Sequence, residues 1–248
     1  MSVRQSIHHI LQRTANYHQR LTSLFDPDRS TLTSSRKAEL HRWYKDQRGR
    51  DLIVEHPNLN EDSVVWDIGG FEGHWAAAIY CRYGCRIEVF EPVESFQDSI
   101  VKRFGNNRHI RLHRFGLSNR DETTEFVVSG VRSSSHLDQP SSQKAQVLLK
   151  DIGDLLTGDS GPRVDLLKIN IEGGEYAVLP RMIECGAISK CRRILIQFHD
   201  FVPNAEDQRR SIVQSLQQTH QEVYDYRYVW QLWQSKEDHT DSTPPSVS

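Results

Sequence analysis

Three clusters of side chains have the types and spacing to do chemistry. The first is "VVWDIGGFEGHW", residues 64–75, where an apolar run passes through Asp67 and breaks into a turn holding Gly69, Gly70 and Gly73. A buried strand that runs into a glycine-rich turn and then a helix brings backbone N–H groups up to a small ligand with no Cβ in the way. The second is Glu91, 24 positions after Asp67 at the end of "RIEVFEP", where a carboxylate can accept hydrogen bonds from both hydroxyls of a ribose. The third is spread over two later runs. "LLKINIEGGE" carries Lys168, Asn170, Glu172 and Glu175, and "LIQFHD" carries His199 and Asp200. Carboxylates and an imidazole at strand ends are groups that can take a proton from a reacting hydroxyl.

The ligand of the glycine turn follows from its charge. The dinucleotide fingerprint is G-x-G-x-x-G with an acid about 20 residues later. Here the spacing is G-G-x-x-G, and a carboxylate, Asp67, lies two residues before the first glycine. A pyrophosphate would be repelled by that acid. S-adenosylmethionine (SAM) has no phosphate and carries an ammonium and a sulfonium, so the acid suits it. A NAD-dependent oxidoreductase is therefore disfavoured, and the core also offers no Tyr-x-x-x-Lys pair. A non-catalytic SAM-binding or scaffold protein stays open beside an enzyme.

The elements that must position these residues are legible from periodicity. "SVVWDI", "RIEVFEP", "HIRLHRFGL", "RVDLLKI" and "RRILIQFHDF" read as strands. "HWAAAIYCRY", "VESFQDSIVKRF", Glu175 to about Cys185 and "AEDQRRSIVQSLQQTH" read as helices. Such alternation predicts parallel βαβ units in a doubly wound sheet, with ligands beyond the strands' carboxyl ends. "TTEFVVSG" and "AQVLL" read as an antiparallel insertion, and "EVYDYRYVWQLWQS" as one or two closing strands. Ahead of this core, residues 1–60 form a helical segment, with one helix expected over about 3–24 and another over "SRKAELHRWYKDQ" capped by Ser35. The domain spans 61–236, and the polar tail 237–248 is expected to be disordered.

Global composition excludes several classes. The formal net charge of the 248 residues is -2, so nothing points to nucleic acid, although residues 1–50 hold ten Lys/Arg against four Asp/Glu. No apolar run approaches the roughly 20 residues needed to span a bilayer, and no signal peptide opens the chain. A cytoplasmic location is expected. Cys81, Cys85, Cys185 and Cys191 lack C-x-x-C spacing and read as free thiols. No metal motif is present, although Asn170, Glu172, His199 and Asp200 are hard donors. The aromatic C-terminal stretch suits packing within the sheet or against a second copy of the chain.

The sequence resembles the FkbM-type family of class I SAM-dependent methyltransferases. The blocks that carry the resemblance are "VVWDIGGFEGHW", "VFEPVESF" and "VDLLKINIEGGEYAVL", with weaker similarity in "HRFGLSNRDETTEF" and "VLLKDIGDLL". It implies a Rossmann-like seven-stranded sheet with helices on both faces and O-methylation of a sugar, glycan or small natural-product hydroxyl. Asp67, Gly69, Gly70, Gly73, Glu91, Pro92 and Leu117 would line the cofactor site, and Lys168, Glu172, Gly173 and Glu175 would form the late motif. Two departures stand out: Asn170 where an acid is common, and "LIQFHD", with Gln197 and His199, where an acid is also common.

Methyl transfer to oxygen needs alignment, which can remove roughly 7–11 kcal/mol of barrier. It also needs proton removal, worth about 10²–10⁴-fold. Glu172 and His199 are the candidate bases. Lys168 either bonds the acceptor or pairs with Glu172 or Glu175. Asn170, Glu175, Asp200, Ser134 and Ser135 are candidate acceptor contacts, the two serines in the hydroxyl-rich run "VRSSSHLDQ".

Overall fold

The computed structural model describes residues 34–46, 53–129, 132–134, 143–157 and 161–237. The helix expected over residues 3–24, Ser135 and the tail beyond 237 lie outside them. The first described element, α1 (Ser34–Lys45), begins one residue ahead of Ser35, the expected cap.

The core is a seven-stranded sheet. In chain order, β1 (Val64–Ile68), α2 (His74–Tyr83), β2 (Arg86–Phe90), α3 (Glu94–Phe104) and β3 (Ile110–His113) build one wing. Then β8 (Leu166–Ile169), α5 (Glu175–Glu184), β9 (Arg193–Ile196), α6 (Ala205–Thr219), β10 (His220–Tyr226) and β11 (Trp230–Ser235) build the other. The strand order is β10-β11-β9-β8-β1-β2-β3. All neighbours run parallel except β11, which lies antiparallel between β9 and β10. The two wings meet where β1 lies beside β8, the switch point where open α/β sheets hold their ligands.

Period-two alternation along β1 and β8 fills both faces. Val65 and Leu166 pack with Leu40 and Trp43 of α1 and Trp75 and Ile79 of α2. Trp66, Ile68, Leu167 and Ile169 pack with Val178 and Leu179 of α5 and Ile212 and Leu216 of α6. With both faces covered, the central strands read as continuous apolar runs interrupted only where chemistry is placed.

In chain order a second sheet is inserted between the wings, built from β4 (Gly116–Ser118), β5 (Glu122–Ser129), β6 (Arg132–Ser134) and β7 (Gln143–Asp151) in the order β4-β7-β5-β6. The run expected as one strand, "HIRLHRFGL", splits into β3 and β4, which join different sheets. Gly116 permits the switch, since a Cβ there would fall 2.6 Å from Leu149 Cδ2 of β7. After β7 comes a short helix, α4 (Ile152–Leu156), whose cap Asp151 accepts the Gly153 N–H at 2.7 Å. Among the described residues no helix is long and apolar enough to cross a membrane.

Candidate active site

Every charged group of the site sits where a strand gives way to a turn at the carboxyl end of the sheet. At the end of β1 the glycine turn folds back over β2, with the N–H groups of Gly69 and Gly70 both donating to Phe90 O at 3.0 and 3.2 Å. Gly69 has φ 81°, and a Cβ there would lie 2.1 Å from the Asn170 carbonyl oxygen. The turn from β1 and the turn from β8 are therefore in direct contact. Phe71 follows at φ 49°, a left-handed backbone that strains a bulky residue.

Glu91 locks that strained residue. Its Oε2 accepts the Phe71 N–H at 2.8 Å and its Oε1 the Val93 N–H at 2.9 Å, so one carboxylate ties the glycine turn to the start of α3. Burial pushes the Glu91 carboxyl up to about 7, against the two backbone donors and the Lys168 charge, with the Asp67 charge adding to the rise. A carboxylate offers about four lone-pair sites, so about two remain beyond the two backbone donors.

Asp67 and Lys168 face each other across the β1–β8 pair. Lys168 Nζ donates to Asp67 Oδ1 at 2.8 Å and to Gly69 O at 2.7 Å, and both side chains are sealed from solvent. This corrects the alternative in which Lys168 pairs with Glu172 or Glu175. The two acids point along the other turn, whereas strand register puts Asp67 opposite. Burial raises the Asp67 pKa and Lys168 pulls it back. Asp67 Oδ2 is buried without a hydrogen-bond partner, a polar atom held at the rim of the glycine turn.

A cavity of about 320 Å³ opens beside this turn, lined among others by Gly69, Phe90, Pro92, Leu117, Phe126 and Gly173. Pro92 and Leu117, expected at the cofactor, thus share one wall with the second sheet.

The β8 turn and the end of β9 carry the remaining candidates. Asn170 N–H donates to Ile68 O at 3.1 Å, continuing the β1–β8 pairing. Glu172 has φ 49° and Gly173 φ 102°. Glu175 is fully buried. Its Oε2 accepts the Gly173 N–H at 2.9 Å, and its Oε1 accepts the His199 N–H at 2.8 Å and faces His199 Nδ1 at 3.0 Å. Glu172 Oε2 lies 3.6 Å from His199 Nε2. Asp200 pairs with Arg36 of α1 at 2.7 Å. Ser134 is in β6, whose backbone pairs with β5. Among the described residues no group of three His, Cys, Asp or Glu side chains is placed to hold a metal ion.

Sequence reasoning missed one side chain and two backbone amides. Arg36 lies 164 residues from Asp200, and nothing local in the run around it marks its partner. The Phe71 and Val93 amides were equally invisible, since a backbone donor has no signature in residue type.

An α/β sheet with a glycine turn, a strand-end acid and a crevice at its switch point defines a Rossmann-like domain for an adenosine-bearing cofactor. Comparison with known proteins narrows the class. The profile of the methyltransferase FkbM domain matches residues 67–228. The structure is similar to the methyltransferase FkbM of Methylobacillus flagellatus KT, with a TM-score of 0.50 and 14% identity over 90% of this chain and 59% of that one. The chain thus spans less than two thirds of that protein's length. Also similar are an rRNA methylase from Streptococcus thermophilus (TM-score 0.44, 13% identity, 75% of this chain and 92% of that one) and the N-methyltransferase NodS from Bradyrhizobium japonicum WM9 bound to S-adenosylhomocysteine (TM-score 0.41, 10% identity, 88% and 98%). No curated protein matches in sequence. The chain belongs to the FkbM family of SAM-dependent methyltransferases.

Proposed function

We propose that the chain moves a methyl group from SAM to a hydroxyl oxygen of a small neutral acceptor such as a sugar, with Glu172 receiving the hydroxyl proton. The observation that carries the reading is the contact between the two turns at Gly69 and Asn170. It supports a site in which the cofactor cradle at Gly69 and the β8 turn, whose Ile171, Gly173 and Gly174 line the same cavity, serve one reaction.

The residues present fit the cofactor. The glycine turn leaves room where a side chain would clash, Asp67 Oδ2 is a buried acceptor at its rim, and Glu91 keeps lone pairs for ribose hydroxyls. Gly70 and Gly73 continue the cradle, and Pro92 and Leu117 offer an apolar wall for a base. When bound, SAM supplies a methyl group on a sulfonium, whose bond electrons stay on sulfur as a neutral thioether. The chain's own residues do the rest. Asn170 and Glu172 are assigned to the acceptor, Glu172 holding the proton it gives up, and Asp200, paired with Arg36, is assigned as a further acceptor contact. Lys168 acts behind the turn, since its Nζ donates to Asp67 and to the Gly69 carbonyl. Ser134 and Ser135 are assigned to the acceptor's outer contacts. The acceptor itself is small rather than a nucleic acid, in keeping with the net charge of -2. A cytoplasmic location is supported by four cysteines that all stand as free thiols. A dimer is a further proposal, supported only by the aromatic-rich final strands.

The test is calorimetric titration with S-adenosylhomocysteine, followed by transfer of labelled methyl from SAM to a panel of methyl glycosides and simple alcohols. Binding of S-adenosylhomocysteine with label on an oxygen supports the reading. Label on nitrogen alone, or none on any acceptor, sinks the O-methylation part. Glu172→Gln is expected to leave S-adenosylhomocysteine affinity intact and to lower turnover by about 10²-fold; an unaltered rate removes Glu172 from the role.

Glu91 makes a second prediction. Glu91→Ala is expected to weaken S-adenosylhomocysteine binding by about 1.5–3 kcal/mol, the scale of hydrogen bonds to a charged group. Because the carboxyl titrates at about 7 and only its ionised form accepts from both hydroxyls, wild-type affinity falls as pH drops below that value. Calorimetry between pH 6 and 8.5 reads both effects, and flat affinity over that range ends the assignment.

A further inference from the structure

We infer that His199 serves the reaction as a fixed imidazolium that positions Glu172, rather than as the group that takes the proton. The inference rests on the methyl-transfer reading above, but its ground is geometric. Both ring nitrogens face carboxylate oxygens: Nδ1 lies 3.0 Å from Glu175 Oε1 and Nε2 lies 3.6 Å from Glu172 Oε2. A neutral imidazole has one N–H and one lone pair. In either tautomer that lone pair would face a carboxylate oxygen, and only the doubly protonated ring both donates to Glu175 and turns a positive edge toward Glu172, at an ion-pair rather than a hydrogen-bond distance. A ring already carrying two protons has no lone pair to receive a third.

The ring is also immobilised. The His199 N–H and Nδ1 both engage Glu175 Oε1, and Tyr176 of α5 donates its hydroxyl to His199 O at 2.8 Å. Glu175 is in turn fixed by the Gly173 N–H. Three anchors, all from α5, thus hold the ring in place, and Glu172 meets it from a left-handed backbone at φ 49°. A non-glycine residue keeps that conformation only where its surroundings over-determine it. The β8 turn and His199 together supply that constraint, holding Glu172 Oε2 toward the imidazole at the edge of the turn.

The other charged groups around the ring are already committed. Asp200, next in the chain, pairs with Arg36 of α1. Arg209 of α6 pairs with Asp225, and the Tyr228 hydroxyl bonds Glu206. Asn170 and Gln197 are uncharged. Two acids and one cation therefore share the buried cluster. Burial on its own would push the imidazole down, but the Glu172 and Glu175 charges outweigh it and lift His199 to about 10. Phe201 packs its ring 5.3 Å from the imidazole.

The division of labour has a chemical consequence. As the acceptor oxygen takes the methyl group, its proton passes to Glu172, and the cluster goes from two negative charges and one positive to one of each. The neighbouring imidazolium makes Glu172 a weaker base but keeps it ionised and oriented, so the group gains in geometry what it gives up in basicity.

The test uses the whole chain labelled with ¹⁵N-histidine, the His199 signal being identified by its absence from His199→Gln or His199→Asn. The expected result is a ring that stays charged from pH 6 to 9 in the wild type and titrates about one unit lower or more in Glu172→Gln, where an opposite charge is lost. A wild-type midpoint near 6.5, or a midpoint that Glu172→Gln does not move, overturns the inference. These spectra need no acceptor, and Glu172→Gln leaves His199 unchanged if the histidine variants fail to fold. With the acceptor returned by the labelled-methyl screen, His199→Gln is expected to lower kcat at least about 10-fold in the wild type and to add nothing in Glu172→Gln. A full additional loss in that second background overturns the positioning role. Failure of S-adenosylhomocysteine to bind the wild type would instead strike the methyltransferase reading, and the two failures are thereby distinct.

Discussion

Lys168→Met is expected to lower the melting temperature by about 6–20 °C. Lys168 is the counter-charge to Asp67, and both are buried, so the substitution leaves a carboxylate in the core with no partner. Breaking one side of a buried ion pair costs about 3–5 kcal/mol, and a domain of this size shifts about 2–4 °C per kcal/mol. The Gly69 carbonyl loses its donor in the same step, since Lys168 Nζ reaches both groups. The sign of the pH dependence separates this cause from simple loss of packing. Burial already holds the Asp67 pKa above its ordinary value, and removing Lys168 raises it further. A carboxyl whose folded pKa lies above its unfolded one penalises the native state once pH rises past the unfolded value. The penalty is complete above the folded value. The variant is therefore expected to regain stability relative to wild type as pH falls from 8 toward 5. Asp67→Asn with Lys168→Met should recover much of the loss at neutral pH. A thermal melt series of the two variants checks this, and equal deficits at pH 5 and 8 would point to packing alone.

Gly69→Ala is expected to abolish detectable cofactor binding and to cost several kcal/mol of stability as well. The position has φ 81°, a conformation that strains any residue with a side chain by about 1–3 kcal/mol. More decisive is the space. The added methyl would sit 2.1 Å from the Asn170 carbonyl oxygen and 2.9 Å from Ile171 Cγ2, so the two turns must separate. Forcing extra carbon into a packed site adds roughly 1–3 kcal/mol. Separation also moves Gly69 and Gly70 off Phe90 O and Gly69 O off Lys168. Gly84→Ala is the matched control, having positive φ but nothing within 4 Å of its added carbon, so it carries backbone strain without the clash. If Gly69→Ala binds S-adenosylhomocysteine as well as Gly84→Ala does, contact between the turns does not matter to the site.

Much of the fold was legible because its signals are local. The run "HWAAAIYCRY" coincides with α2 from His74 to Tyr83, and "VESFQDSIVKRF" contains α3. Each is bounded by glycine or proline and carries one apolar face. The failures also have physical causes. In "HIRLHRFGL" the alternation of Ile110 and Leu112 slips by one residue at Arg114 and resumes at Phe115, a break too slight to show that the chain passes from β3 to a different sheet. The switch is made by Gly116 against Leu149, a contact 33 positions away. The site was legible as residue types but not as pairings. Asp67, Glu91, Lys168 and Glu172 stand out as charges in apolar strands or glycine turns. That Lys168 belongs to Asp67 is a fact of strand register between β1 and β8, 101 positions apart. The Arg36–Asp200 pair is further still from anything a window of sequence can hold.

That same β1–β8 pairing sets a schedule for the growing chain. β1 can find β2 and β3 within about 50 residues, but its opposite edge is closed only when Leu166–Ile169 has been made. At roughly 5–20 residues per second, the interval is on the order of 5–20 s. Through that time "VVWDI" presents an open row of N–H and C=O groups on a short apolar strand, an invitation to pair with another chain. The strand that leads into the glycine turn is thus also a seam of the nascent chain that stays open longest on one side. Yield in a cell then depends on how well this edge is guarded before β8 arrives, as much as on the stability of the finished sheet.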